Sequence, residues 1–175
     1  MQTMDLLKTA TDWAKSELFS TPFFILFGLV FIGAGIGFWQ LGKTEMARAY
    51  IVPTLVSGAL LSTIGLGLFF TNKSRIAKFE TAYHKDAAAF LEAEITRAEA
   101  TLQEYNTIVF KVIPMIIIVA ALLILFVHKP AWRAISITTI ALLIVVLLID
   151  GTAYARINAY YKELKLVVLE NTMKK

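Results

Sequence analysis

The residues with the widest chemical reach in this chain of 175 residues lie between Tyr154 and Lys162, where tyrosines alternate with Arg156 and Lys162. Aromatic faces can stack on bases and cations can hold phosphates, so this segment is one candidate for a nucleotide-like ligand. Tyrosines at heptad spacing also describe the seam of a coiled coil whose lysines are solvated. A second group is hydroxylic. Ser57, Ser62, Thr63, Ser136, Thr138 and Thr139 sit inside long apolar runs. Hydroxyls among apolar walls can line an ion path that closes by dewetting, and they can equally bond their own helix backbone.

Other chemistry is missing. The chain has no cysteine, which removes disulfides, thiolate nucleophiles and thiolate metal sites. His84 and His128 are far apart, so no imidazole cluster for zinc or iron is expected within one subunit. His84, near a turn, could sense pH, but a surface histidine without function explains it equally. Phosphate-binding glycine loops, an HExxH pair and a serine nucleophile elbow are absent. The expectation is a protein that is not an enzyme and carries no cofactor.

These groups must be held by helices in lipid. Hydrophobic residues make up 58% of the chain, above the roughly 45 to 50% of soluble domains. Charge-free runs cover Thr21 to Leu41, Ala49 to Asn72, Val112 to Val127 and Ala134 to Ile149. About 20 apolar residues span a bilayer, so four spans are predicted, the last two completed by snorkelling Lys111, Lys129 and Arg133. The first run lacks a basic leader and is read as retained. Lys43, Arg48, Lys129 and Arg133 are the only cations in the two short loops, and the other thirteen lie on the opposite side. By the positive-inside rule both termini are cytoplasmic, in a bacterial inner membrane. Twelve of the thirteen acids share that side, so bulk basicity carries no signal for nucleic acid.

The predicted fold is all-α. Residues 1–20 form an interfacial amphipathic helix, with Leu6, Leu7, Ala10, Trp13, Ala14 and Leu18 on one face. Ser20, Thr21 and Pro22 then cap a new helix. Residues 21–72 form a transmembrane hairpin, 73–111 a cytoplasmic helical segment, 112–150 a second hairpin, and 151–175 a helix that pairs with 86–111. Gly33 with Gly37, and Gly58 with Ser62, are small-xxx-small pairs suited to close helix packing within or between subunits. Asp86 caps a helix that runs unbroken to about Val127.

A heptad seam, Leu91, Ile95, Ala98 and Leu102, faces a second seam, Ile157, Tyr161, Leu164 and Val168. In antiparallel register Leu91 meets Val168, Ile95 meets Leu164, Ala98 meets Tyr161 and Leu102 meets Ile157. The spans are thereby extended into a cytoplasmic stalk by the last three of them. The first strand of this stalk is mainly acidic and the second mainly basic, which places Lys165 near Glu92 or Glu94 and Asp150 near Lys111.

In outline, four spans with a helical stalk and no catalytic group resemble the small multi-pass membrane effectors of bacterial antiphage systems. That resemblance implies antiviral defence by membrane permeabilisation. The Hailong type implies a homotetrameric channel that binds a DNA oligomer, for which Arg156, Tyr160 and Lys162 would be the contacts. The functional expectation is an oligomeric, gated ion-conducting or permeabilising pore, its partners being the bilayer, further copies of the chain and a protein, nucleotide or oligonucleotide signal at the stalk. The alternative is a non-conducting scaffold or regulatory subunit that docks a cytoplasmic partner.

Overall fold

The computed structural model describes residues 3–173. Residues 1–2 and 174–175, the tips of the first and last predicted segments, lie outside the described residues. Helix α1 (Thr3–Leu41) is followed by a short α2 (Glu45–Ala49) and by α3 (Ile51–Lys85). Helix α4 (Ala87–Glu104) continues through a π-helical segment (Tyr105–Val112) into α5 (Ile113–Phe126), and α6 (Pro130–Met173) closes the chain. Four rods result, each long and apolar enough to cross a membrane. At 1.5 Å per residue, the 44 residues of α6 extend about 66 Å, roughly twice the hydrocarbon thickness. Each rod therefore has an apolar half and a charged half.

The predicted break between residues 20 and 21 is not there. Helix α1 passes straight through Pro22. Proline's missing N–H would leave the Leu18 carbonyl without its helical donor. The Thr21 hydroxyl donates to that carbonyl at 2.8 Å, and the Ser20 hydroxyl donates to the Ser16 carbonyl at 3.1 Å. These hydroxyls carry the helix across the proline instead of starting a new one. Nor is residues 1–20 a separate surface helix. Its apolar face finds protein, because Leu6, Ala10, Trp13 and Ala14 are buried in one cluster with residues of the three other rods. All four rods, not the last three, build the stalk.

The corner at Asp86 matches the sequence expectation. Its backbone is extended, its N–H closes α3 on the Ala82 carbonyl at 3.2 Å, and its carboxylate caps α4 by accepting from Ala88 N and Ala89 N. The rod beyond it is continuous from Ala87 to Phe126, as expected, but not uniform. In the π segment, the Ile113 N–H donates to the Ile108 carbonyl five residues back. These wider turns ease the chain towards Pro114, whose ring would press on the Phe110 carbonyl in a strict α-helix.

In the apolar half, α1 and α3 cross with their backbones nearly touching. A Cβ on Gly28 would lie 2.3 Å from Ser62 Oγ and 2.9 Å from the Gly58 carbonyl oxygen, and one on Gly58 would lie 2.7 Å from the Gly28 carbonyl oxygen. Gly58 and Ser62 thus pack as expected, but their partner is Gly28. Gly33 and Gly37 have nothing within 4 Å, because the register that seats residue 28 between 58 and 62 turns them away from α3. Phe24, Leu61, Val145 and Ile149 form a buried apolar layer across α1, α3 and α6. Helix α5 packs chiefly against α6 and the π segment, giving the expected second hairpin.

In the charged half, the core contains Ala10 and Trp13 of α1, Phe79 and Tyr83 of α3, Phe90 and Ala98 of α4, and Ile157, Tyr160 and Leu164 of α6. Ala98, Ile157 and Leu164 were on the predicted seam and lie in its centre. Leu91, Ile95, Leu102 and Tyr161 pack at its edge, Val168 is exposed at the rim, and Phe90, Glu94 and Tyr160 point inward instead. A two-helix seam is a narrow stripe, whereas a helix packed against three others buries a wider face. The predicted register persists at the base of the stalk, where Tyr105 meets Tyr154 edge to face, 6.0 Å between centroids.

Candidate functional site

Between the two halves lies a cavity of about 400 Å³. Its wall on the apolar side comes from Phe24, Ile64, Leu68, Val109, Ile113 and Val146. On the other side stand Glu17, Asn72, Arg75, Arg97, Glu104 and Asp150, together with Trp13 and Tyr105. Each rod supplies charge or polarity here because its buried face carries polar residues at core spacing. On α1 that face runs Ala10, Trp13, Glu17, Thr21 and Phe24; on α4 it runs Phe90, Glu94, Ala98 and Thr101. Both steps are three or four residues, the interval that keeps side chains on one side of a helix.

A network ties the four rods together beside this cavity. The Trp13 ring stacks on Tyr160 with centroids 5.0 Å apart and planes at 11°. The Arg97 guanidinium lies 4.2 Å from the Trp13 centroid and Arg75 lies 5.9 Å from it. Arg97 donates through Nε to Glu94 Oε1 at 3.1 Å and through a second nitrogen to Oε2. The Tyr160 hydroxyl donates to Glu94 Oε2 at 2.7 Å. Glu94 is only 6% exposed, and these donors supply the hydrogen bonds that a buried carboxylate requires. Burial, and then the Glu94 charge, hold the Tyr160 phenol well above its usual range, so it remains a donor. Burial and the neighbouring Arg97 charge lower Arg75, although a guanidinium keeps its proton.

One turn closer to the apolar half, Arg156 Nε donates to Glu17 Oε1 at 2.8 Å and Arg156 Nη1 to Thr152 Oγ1 at 3.3 Å. Arg75 donates to Asn72 Oδ1 at 3.1 Å. Burial and the nearby Asp150 carboxylate push the Tyr105 phenol up. Asp150 does not pair with Lys111, which is exposed; among the described residues no ion pair joins them. Trp13 Nε1 and Arg156 Nη2 are buried without a hydrogen-bond partner.

Of the candidate ligand contacts, Arg156 and Tyr160 are inside this network, and only Lys162 is exposed. The three do not form a surface for stacking or phosphate binding, because two of them satisfy buried carboxylates. Lys165, expected beside Glu92 or Glu94, holds its ammonium 5.3 Å from the Tyr161 centroid, and Glu94 is taken by Arg97 and Tyr160.

The hydroxyls of the apolar runs lie elsewhere than the cavity. Ser57, Ser136 and Thr138 are buried, Thr139 is half-buried, and Thr63 is exposed with its hydroxyl bonded to the Ala59 carbonyl at 2.8 Å. Ser62 Oγ, against Gly28, and Ser136 Oγ are buried without a partner. The cavity uses the same helices α3 and α6, but nearer their charged halves and with carboxylates and guanidiniums instead of hydroxyls.

Sequence reasoning missed Trp13, Glu17, Asn72, Arg75, Arg97 and Glu104. Glu17 and Glu94 at core spacing were the readable signal. No family model, curated protein or solved structure matches this chain. The geometry alone therefore carries the functional reading.

Proposed function

We propose that the chain is the subunit of an oligomeric, multi-pass membrane protein that opens a gated ion-conducting or permeabilising path, held shut in the conformation described. Both termini face the cytoplasm of a bacterial inner membrane, and the setting is antiphage defence. The observation that carries the reading is the polar cavity at the junction of the two halves, which shares Phe24 with the buried apolar layer of Phe24, Leu61, Val145 and Ile149. A hydrated chamber beneath an apolar constriction is the arrangement that gates by wetting and dewetting. The network around Glu94 and Arg156 links that chamber to the stalk, so a change in stalk packing would reach the constriction through continuous helices.

The test is single-channel recording of the full chain in planar bilayers beside Leu61→Asn. Leu61 is completely buried in the constriction. A polar side chain there lowers the dewetting barrier, so frequent conductance steps are expected where the unsubstituted chain opens rarely. Silence from both, with folded protein inserted, overturns the pore. The second reading, a scaffold or regulatory subunit that does not conduct, is favoured by an apolar groove of about 670 Å³ at the stalk tip, among Leu6, Tyr83, Leu91, Ile95 and Leu164.

A further inference from the structure

The cavity between the halves is lined by more charge than a dry void can hold. Trp13 is 8% exposed, lines the cavity, and its Nε1 has no partner. Its face is occupied by Tyr160 and Arg97 and its Nε1 has almost no accessible surface, so the ring meets the cavity through its small remaining exposed part. Charges such as Asp150 and Arg75 are costly out of water, and water molecules remove that cost where a cavity can admit them. About 400 Å³ is room for several waters.

The charges have a sign. Glu17 is paired with Arg156, and Arg97 with Glu94. The remaining lining charges are the carboxylates of Glu104 and Asp150 and the guanidinium of Arg75, which is bonded to the neutral Asn72. One negative charge is left over. Low-dielectric walls such as Phe24 and Val146 focus the field of such a charge into the space beside them.

We infer that this cavity is a hydrated vestibule that concentrates small monovalent cations at the cytoplasmic end of the spans, with Asp150 and Glu104 as the attracting groups and Trp13 on its water-filled wall. It deepens the pore reading by naming the ion class, and rests on that reading for the vestibule's place in a path but not for its existence.

Trp13 itself is the reporter. Trp39 and Trp132 are exposed at the far ends of α1 and α6, so Trp39→Phe with Trp132→Phe leaves one tryptophan in the vestibule. With the chain in nanodiscs of uncharged lipid, caesium and iodide are compared as collisional quenchers, with neutral acrylamide for access, each constant taken relative to that for free N-acetyltryptophanamide in the same buffer. Caesium is expected to quench Trp13 more than iodide. Asp150→Asn should reduce the caesium constant about 1.6-fold, the effect of one charge about 15 Å away in water, because Asp150 lies two to three turns along α6 from the Tyr160 that stacks on Trp13, and adding Glu104→Gln should reduce it further. The acrylamide constant should not change. Iodide quenching equal to or above caesium, or no quenching by all three, overturns the vestibule. Preferential caesium quenching in a chain silent in bilayers supports the vestibule and overturns the pore.

Discussion

Where α1 meets α3 at Gly28 and Gly58, two backbones touch and no charge intervenes; further along the same helices, Trp13 and Arg75 border a cavity lined with carboxylates. In lipid, which these helices are long and apolar enough to cross, there is no hydrophobic drive between helices, and close approach of small residues takes its place. The charged half has that drive and builds an aromatic and aliphatic core, yet it buries Glu94 and half-buries Glu17 within it. Steric fit without polarity is intolerant and featureless. A polar network costs stability but allows discrete alternative pairings, which a switch requires.

The sharpest way to break this comparison is a bulky residue at the glycine crossing. Gly58→Leu has backbone on its far side and no room to yield, and should cost about 3 kcal/mol or more in thermal unfolding in detergent. Gly33→Leu, with nothing within 4 Å, should be nearly silent in the same assay. Equal losses at both positions would mean that the crossing is not where the apolar half is held. Next in size is Glu94→Ala, which strands the Arg97 guanidinium and the Tyr160 hydroxyl together and should cost about 3 kcal/mol. Tyr160→Phe removes one hydrogen bond to a charged group and keeps the stack on Trp13; about 1.5 kcal/mol is expected from denaturant melts.

Smaller still is Thr21→Val, which uncovers the Leu18 carbonyl and should cost about 1 kcal/mol. In a Pro22→Ala background the backbone N–H returns and the same change should cost almost nothing, so a double-mutant cycle measures the hydroxyl's role directly. Additive costs would show that Thr21 does not stand in for the missing donor. At the bottom of the scale, Lys165→Ala loses a single exposed cation over Tyr161 and should cost less than about 0.5 kcal/mol.

The rods themselves were legible because they rest on local rules: charge-free length for the spans and the Asp86 cap. The antiparallel return of α6 along α4 was legible from complementary periodicity. The fate of residues 1–20 was not, since an amphipathic face is the same whether it meets headgroups or protein; only the positions of Trp13 and Glu17 relative to Arg97 and Arg156, far away in sequence, decide it. The cavity was hidden for a related reason. It draws Glu17, Arg75, Glu104 and Asp150 from four separate segments, and no single segment carries a motif.

The uninterrupted passage of each rod from one half to the other sets a rule for how this molecule can change length. One added residue within a rod would turn everything beyond it by about 100° and take Trp13 or Tyr160 off its partners. Growth of the stalk is therefore quantised, close to two turns at a time and in all four rods together, while the links at residues 42–50 and 127–129 can drift singly. Distant kin of this chain would betray themselves by gaps that fall in sevens between Asp86 and the apolar half, and by ragged, unconstrained loops at the opposite end.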